Sequence, residues 1–330
     1  MGGWQKVEDV IGQDASQDWR RKIDVEFSDP AFQRKVVRAM AHGHDPLRGQ
    51  RALLILGPSA SGKSHAMKIA GVRTPYHTGN KNMSFEAWED KDDFASKVAA
   101  IDMPQRALIL DGSYIRDASD CWRDMVALAH SHDLDGFSDL FDNFFKPSIG
   151  KVKKAVTTSA LEGHWNIIVP DTASSFKKTA AMIQRLAESG YSLKVAAVYA
   201  STETCTERGK SREKGEGKKY SSKNWVASMQ AIVDAQKELK KLGLDDKIQI
   251  LDNNASMPAL DSVDHIVAIL NQHVQQSSEK QYVRQSSANT SESQQSEQSE
   301  KSRRSCVAVV GALAATVIAV VSLRWLRKPK

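Results

Sequence analysis

Between residues 51 and 274, short runs made almost wholly of apolar side chains alternate with longer stretches whose apolar positions recur every three or four residues. The runs are 52–56 (ALLIL), 107–110 (ALIL), 166–169 (NIIV), 193–199 (LKVAAVY) and 247–251 (KIQIL). The first four lack the polar alternation of a sheet wetted on one face, so they predict parallel strands buried on both faces. The stretches between them predict helices, among them 176–189, 223–242 and 259–274. Strand–helix alternation of this kind implies right-handed crossovers and a three-layer α/β/α fold around a parallel sheet. Upstream, Ser28-Asp29-Pro30 supplies a cap and a first-turn proline for a helix that runs to about His42 and stops at Gly43. Residues 1–50 therefore read as an N-terminal helical extension to a domain at 51–274.

Past that domain the pattern changes twice. Residues 275–305 are dominated by Ser, Gln and Glu and have almost nothing apolar to bury, which predicts a disordered linker. Residues 306–323 (CVAVVGALAATVIAVVSL) carry no charge over eighteen positions. As a helix they span about 27 Å, close to the ~30 Å hydrocarbon layer. Basic residues flank the run and Trp325 stands at an interfacial position. The expectation is a transmembrane tail anchor followed by a basic tip at 324–330. The folded domain then faces the cytosol, with the mitochondrial outer membrane or the peroxisome as destination. The first thirty residues have no apolar signal-peptide core, and the three cysteines have no zinc or disulfide spacing, which fits that compartment.

The formal charge of +6 invites a nucleic-acid reading. Residues 301–330 alone hold seven basic residues and no acid, which leaves −1 for residues 1–300. The basic balance belongs to the tail, which weighs against phosphate-backbone binding by the folded part.

Directly after ALLIL comes GPSASGKS, residues 57–64, and then a helical stretch at 65–70. This is GxxxxGK[ST] in the strand–loop–helix setting that its chemistry needs. Gly57 and Gly62 let the loop turn so that the amides of Ser59, Ala60, Ser61 and their neighbours converge on phosphate oxygens. Lys63 is placed to bridge the β- and γ-phosphates and the Ser64 hydroxyl to ligand Mg²⁺, so ATP and Mg²⁺ are the expected cofactors.

Two further strand ends carry acids. The run 107–110 leads into Asp111-Gly112-Ser113-Tyr114-Ile115-Arg116, and a strand beside the P-loop strand is where a metal-facing or proton-accepting aspartate belongs. A helix cap is the competing reading of Asp111. The run 166–169 leads into Pro170, Asp171 and Thr172, which should face a substrate because strand C-termini converge on the ligand crevice. Residues 202–223 are rich in Arg and Lys and contain Gly209, Gly215 and Gly217, which predicts a flexible basic lid. In it Arg208 and Arg212 stand one helical turn apart, suited to stabilising a transferring phosphoryl group. The histidine pairs 42/44 and 130/132 fall at expected helix ends and read as dipole partners rather than metal ligands.

In this order, the P-loop GPSASGKS, ALILDGSYIR, the helical stretch 144–163, HWNIIVPDT, AESGYSLKVAAVY and the arginine-bearing segment resemble the zeta-toxin group of P-loop kinases over about residues 52–253. The resemblance implies ATP-dependent phosphorylation of a small molecule, UDP-N-acetylglucosamine in the better-known members. There the second strand reads approximately IDxDxF/Y, with the second aspartate as general base. Asp111 matches the first aspartate, Ser113 stands at the base position, and Arg116 follows on the substrate side. Val169-Pro170-Asp171-Thr172 stands where the family has (I/V)EGT, without its sugar-contacting glutamate. Three readings follow: an active kinase in which Asp111 has taken over the proton, a nucleotide-binding adaptor without turnover, or a nucleoside or polynucleotide kinase.

Overall fold

The computed structural model describes residues 3–72, 92–244, 248–253, 262–273 and 275. The expected linker and membrane span lie outside the described residues. Among the described residues no helix is long and apolar enough to cross a membrane.

In chain order the elements are β1 (Trp4–Gln5), α1 (Val7–Ile11), α2 (Gln13–Ser28), α3 (Pro30–Met40), β2 (Arg51–Leu56), α4 (Lys63–Ile69), α5 (Asp92–Ala99), β3 (Leu108–Ile109), α6 (Gly112–Ala118) and α7 (Asp120–Ser131). There follow β4 (Gly136–Phe137), a π-helical turn at Leu140–Phe145, α8 (Lys146–Glu162), β5 (Ile167–Asp171), α9 (Phe176–Glu188), β6 (Ser192–Tyr199), α10 (Thr202–Glu216), α11 (Trp225–Lys241) and β7 (Gln249–Asp252). Residues 263–273 are helical, within the stretch expected at 259–274.

Five strands form one sheet in the order β3-β5-β2-β6-β7, every pair parallel. Ala52–Leu56 of β2 are all buried, as an apolar run covered on both faces requires. Truncating one of them, Leu54→Ala, removes about 2–5 kcal/mol of stability. The order corrects one expectation. The strand that ends at Asp111 does not lie beside the P-loop strand: β5 does, with Leu56 paired to Asp171, and β3 is one strand further out. Hydrophobic periodicity specifies a buried strand but not its neighbour.

The N-terminal helices share the core of the sheet domain. Val7, Ile23, Phe27, Phe32, Val36 and Met40 are buried in one cluster with Ile109, Ile115, Trp122 and Phe145. Polar contacts reinforce this. Glu26 of α2 accepts from Ser119 Oγ at 2.6 Å and Asp120 N at 2.6 Å, capping α7 alongside Ser119, whose own hydroxyl accepts from Trp122 N. Asp29 caps α3 by accepting from Ala31 N, with Pro30 in the first turn, as its sequence predicts. Just past α3, His42 makes a 3.1 Å hydrogen bond with the Tyr114 hydroxyl of α6. The extension thus props the short helix whose first residues follow Asp111.

Candidate active site

The P-loop joins β2 to α4. Gly57 has φ +151° and Gly62 +106°. A Cβ on Gly57 would collide with the Val198 carbonyl, and one on Gly62 with the Asn253 side-chain amide. Both positions therefore demand glycine for space as well as for conformation. Asn253, directly after β7, donates to the Ser61 carbonyl at 2.8 Å and braces the loop from across the sheet. The Ser61 hydroxyl is buried without a hydrogen-bond partner. Ser59 and Ala60 form the partly exposed tip, and Ser64 stands in the first turn of α4, also partly exposed.

Lys63 curls back over the loop and donates to the carbonyls of Gly57 and Pro58, both at 2.8 Å. Burial holds its ammonium down to about 8, opposed first by the charge of Asp111 and then by that of Asp171, and assisted by Arg212. An ammonium this desolvated, resting on two neutral carbonyls, is suited to a polyanion. Two loop glycines at positive φ, a buried hydroxyl with no partner among the described residues and a desolvated lysine together fit the triphosphate of ATP. The Ser64 hydroxyl fits a Mg²⁺ ligand.

Three of the expected residues, from separate segments, act by their charge on Lys63 of the loop: Asp111 at the start of α6, Asp171 at the end of β5 and Arg212 on α10. Asp111 also caps α6, accepting from Ser113 N at 2.9 Å, so the two readings of this residue are compatible. Asp171 similarly accepts from Ala173 N at 2.9 Å. The Ser113 hydroxyl is buried and unpaired. Thr172 is exposed. Arg116 is not held toward a substrate: it is buried, donates to Asp117 at 2.9 Å and approaches Glu216 at 3.5 Å.

The basic segment differs from a loose lid. Thr202–Glu216 is a continuous helix, capped at its start by Ser201 and ended by Gly217 at φ +60°. Gly209 lies inside this helix, and a Cβ there would meet the Tyr220 ring, which packs against this turn and accounts for the glycine. The Tyr220 hydroxyl reaches the Ser59 carbonyl at 3.5 Å, joining the segment after α10 to the P-loop tip. On α10, burial pulls the Arg208 guanidinium below its ordinary range, with Arg212 adding to the effect. Cys205, fully buried between Lys63, Arg208 and Arg212, has its thiol pushed up to about 11 by burial despite those cations, so it stays protonated at neutral pH.

Sequence reasoning missed Asn253, Tyr220, Glu216 and Lys218. Burial holds Lys218 down to about 8, and its ammonium lies 3.8 Å from the centre of the Phe141 ring. Glu216 and Lys218 are visible only as members of the charged segment 202–223, and each of the four also has a partner distant in the chain.

Comparison with known proteins finds a family and a structural likeness. The family profile described as "Zeta toxin" matches residues 99–263, half of the chain. A solved structure from "Molecular and structural characterization of the PezAT chromosomal toxin-antitoxin system of the human pathogen Streptococcus pneumoniae" is similar over 74% of this chain and 85% of that one, at 17% identity and a TM-score of 0.46. No curated protein matches the chain.

Proposed function

The chain belongs to the zeta toxin family, and on that footing we propose that it is an ATP-dependent phosphotransferase acting on a hydroxyl of a small molecule. The observation that carries this reading is the loop bounded by Gly57 and Gly62 with Lys63 folded onto its carbonyls, an ammonium on which the charges of Asp111, Asp171 and Arg212 act. Backbone amides of residues 57–64 and the Lys63 ammonium bind and orient the triphosphate. Bound Mg²⁺ supplies charge neutralisation at the phosphate oxygens. Ser64 would hold the metal, with Asp171, on the strand beside β2, as the second residue toward it. Asp111, one strand further out, accepts the proton of the acceptor hydroxyl. Arg208 and Arg212 stabilise the charge spread over the transferring phosphoryl group.

Transfer of labelled γ-phosphate by the full chain, screened over nucleotide-sugars, sugars and nucleosides, tests the proposal. Transfer that Lys63→Ala abolishes supports it, and equal activity of the two proteins contradicts it. A nucleotide-sugar acceptor is the class that the family resemblance favours.

One observation favours a second reading. Ser113 stands at the family's base position, with a hydroxyl that is buried and unpaired. A serine has too high a pKa to take a proton at neutral pH unaided. A nucleotide-binding adaptor predicts ATP binding without turnover in the same screen. The uncharged run 306–323 supports attachment to a membrane, of the mitochondrion or peroxisome, with the kinase domain in the cytosol. Fusing residues 300–330 to a fluorescent reporter tests it, and a diffuse signal contradicts it.

A further inference from the structure

Glu216 is the last residue of α10, where the negative end of the helix dipole disfavours a carboxylate. Its pairing with Arg212 runs in the less favourable direction along a helix, cation first and acid four residues later. Neither feature stabilises α10 in isolation. The side chain is nonetheless only 17% exposed and lies between two guanidinium groups, Oε2 at 3.5 Å from Arg116 and Oε1 at 3.5 Å from Arg212.

The two ends of this bridge differ. Arg116 is immobilised: its side chain is 6% exposed, its Nε donates to Asp117, and its guanidinium lies 5.4 Å from the centre of the Trp122 ring. Arg212 is held only at one edge. Among the described residues its buried Nε makes no hydrogen bond, and Glu216 Oε1 accepts none. A buried donor left unpaired costs stability, so folding alone does not account for the arrangement. Arg212 is also the cation of α10 whose charge reaches Lys63.

We infer that Glu216 is a positioning residue: anchored by Arg116, it sets the Arg212 guanidinium at the P-loop with its Nε edge reserved for the γ-phosphate. The inference rests on the phosphotransferase reading. It also explains why Arg116, at a position expected to face substrate, is turned instead into an ion-pair network that links α6 to α10.

The test uses the full chain and two probes, ADP and the β,γ-imido analogue of ATP, titrated calorimetrically with Mg²⁺. The wild-type protein should bind the triphosphate more tightly than ADP. Glu216→Gln should lose about fivefold or more of that preference with ADP affinity within about twofold, as should Arg212→Ala, and the double variant should be no worse than Arg212→Ala alone. Full preference in Glu216→Gln, or losses that add in the double variant, would overturn the inference. Should Glu216→Gln lose ADP affinity as well, Arg116→Gln decides by the same ratio, a reduced preference supporting the inference and a wild-type one overturning it. The ratio needs no turnover, so a wild-type protein that binds without transferring phosphate ends the kinase reading and still decides on Glu216. A wild-type protein with no triphosphate preference overturns the inference directly.

Discussion

Asp171 is paired with Leu56, the last residue of the P-loop strand, whereas Asp111 follows β3, a strand one position further from the loop, and caps α6. Both carboxylates act on Lys63, Asp111 the more strongly, and the proposed reaction gives them different tasks. Asp171→Asn should raise the Mg²⁺ concentration needed for half-maximal transfer. Asparagine at 111 can still cap α6 through its amide oxygen, so Asp111→Asn should fold normally and bind ATP. It should lower kcat by about 10²–10⁴-fold, the usual contribution of a general base. Steady-state kinetics over a Mg²⁺ series separates the two.

Nucleotide affinity should depend on pH through Lys63. Its ordinary value of 10.5 is depressed to about 8 without nucleotide, chiefly by burial. An adjacent polyphosphate favours the ammonium and raises that value again. Between the two values binding takes up a proton, so affinity falls as pH rises above about 8, by up to about tenfold per pH unit. Below about pH 7 Lys63 is charged in both states and gives no slope. Lys218, also near 8, titrates in the same window. Calorimetric titrations from pH 6.5 to 9.5 (roughly the span that brackets the free value) should therefore show a shallower slope in Lys63→Ala, and an unchanged slope would contradict the assignment.

Gly209→Ala should destabilise the protein although alanine is the better helix former. The gain in helix propensity is about 1 kcal/mol. The new methyl collides with the Tyr220 ring, and overpacking typically costs about 1–3 kcal/mol. A net loss of up to about 2 kcal/mol in urea unfolding is expected, together with weaker nucleotide binding, because Tyr220 contacts Ser59 at the tip of the loop.

Much of this architecture is written locally. The all-apolar runs identify buried strands because no other element needs five consecutive buried side chains, and GPSASGKS identifies the phosphate loop because its geometry is made within eight residues. What is long-range is not written there. The order of β3, β5 and β2 comes from packing, so Asp111 was expected one strand too close. The glycines of 202–217 read as flexibility because their composition conceals Tyr220, whose ring occupies the space beside Gly209. Residues 1–50 read as an appendage because α2 is mostly polar, yet Ile23 and Phe27, four residues apart, place one stripe of it in the core.

Removing Glu26 tests how firmly that N-terminal segment is joined. Its carboxylate satisfies Ser119 Oγ, Asp120 N and, at 3.3 Å, Cys121 N. Glu26→Ala should cost about 1–3 kcal/mol by leaving the Ser119 hydroxyl and the part-buried Cys121 N–H without this acceptor. Burial, followed by Glu26, pushes the Cys121 thiol up to about 12. The variant should therefore alkylate faster at Cys121 than the wild type at alkaline pH, as followed by mass spectrometry.

The central claim is that the loop from Gly57 to Ser64 grips a polyphosphate, and calorimetric titration of Mg·ATP into the folded full chain tests it most directly. The expected result is saturable one-to-one binding, weakened at least about tenfold in Lys63→Ala, as loss of a charge-assisted contact requires. Well-folded wild-type protein that takes up no nucleotide, or that binds it as tightly without Lys63, would contradict the account.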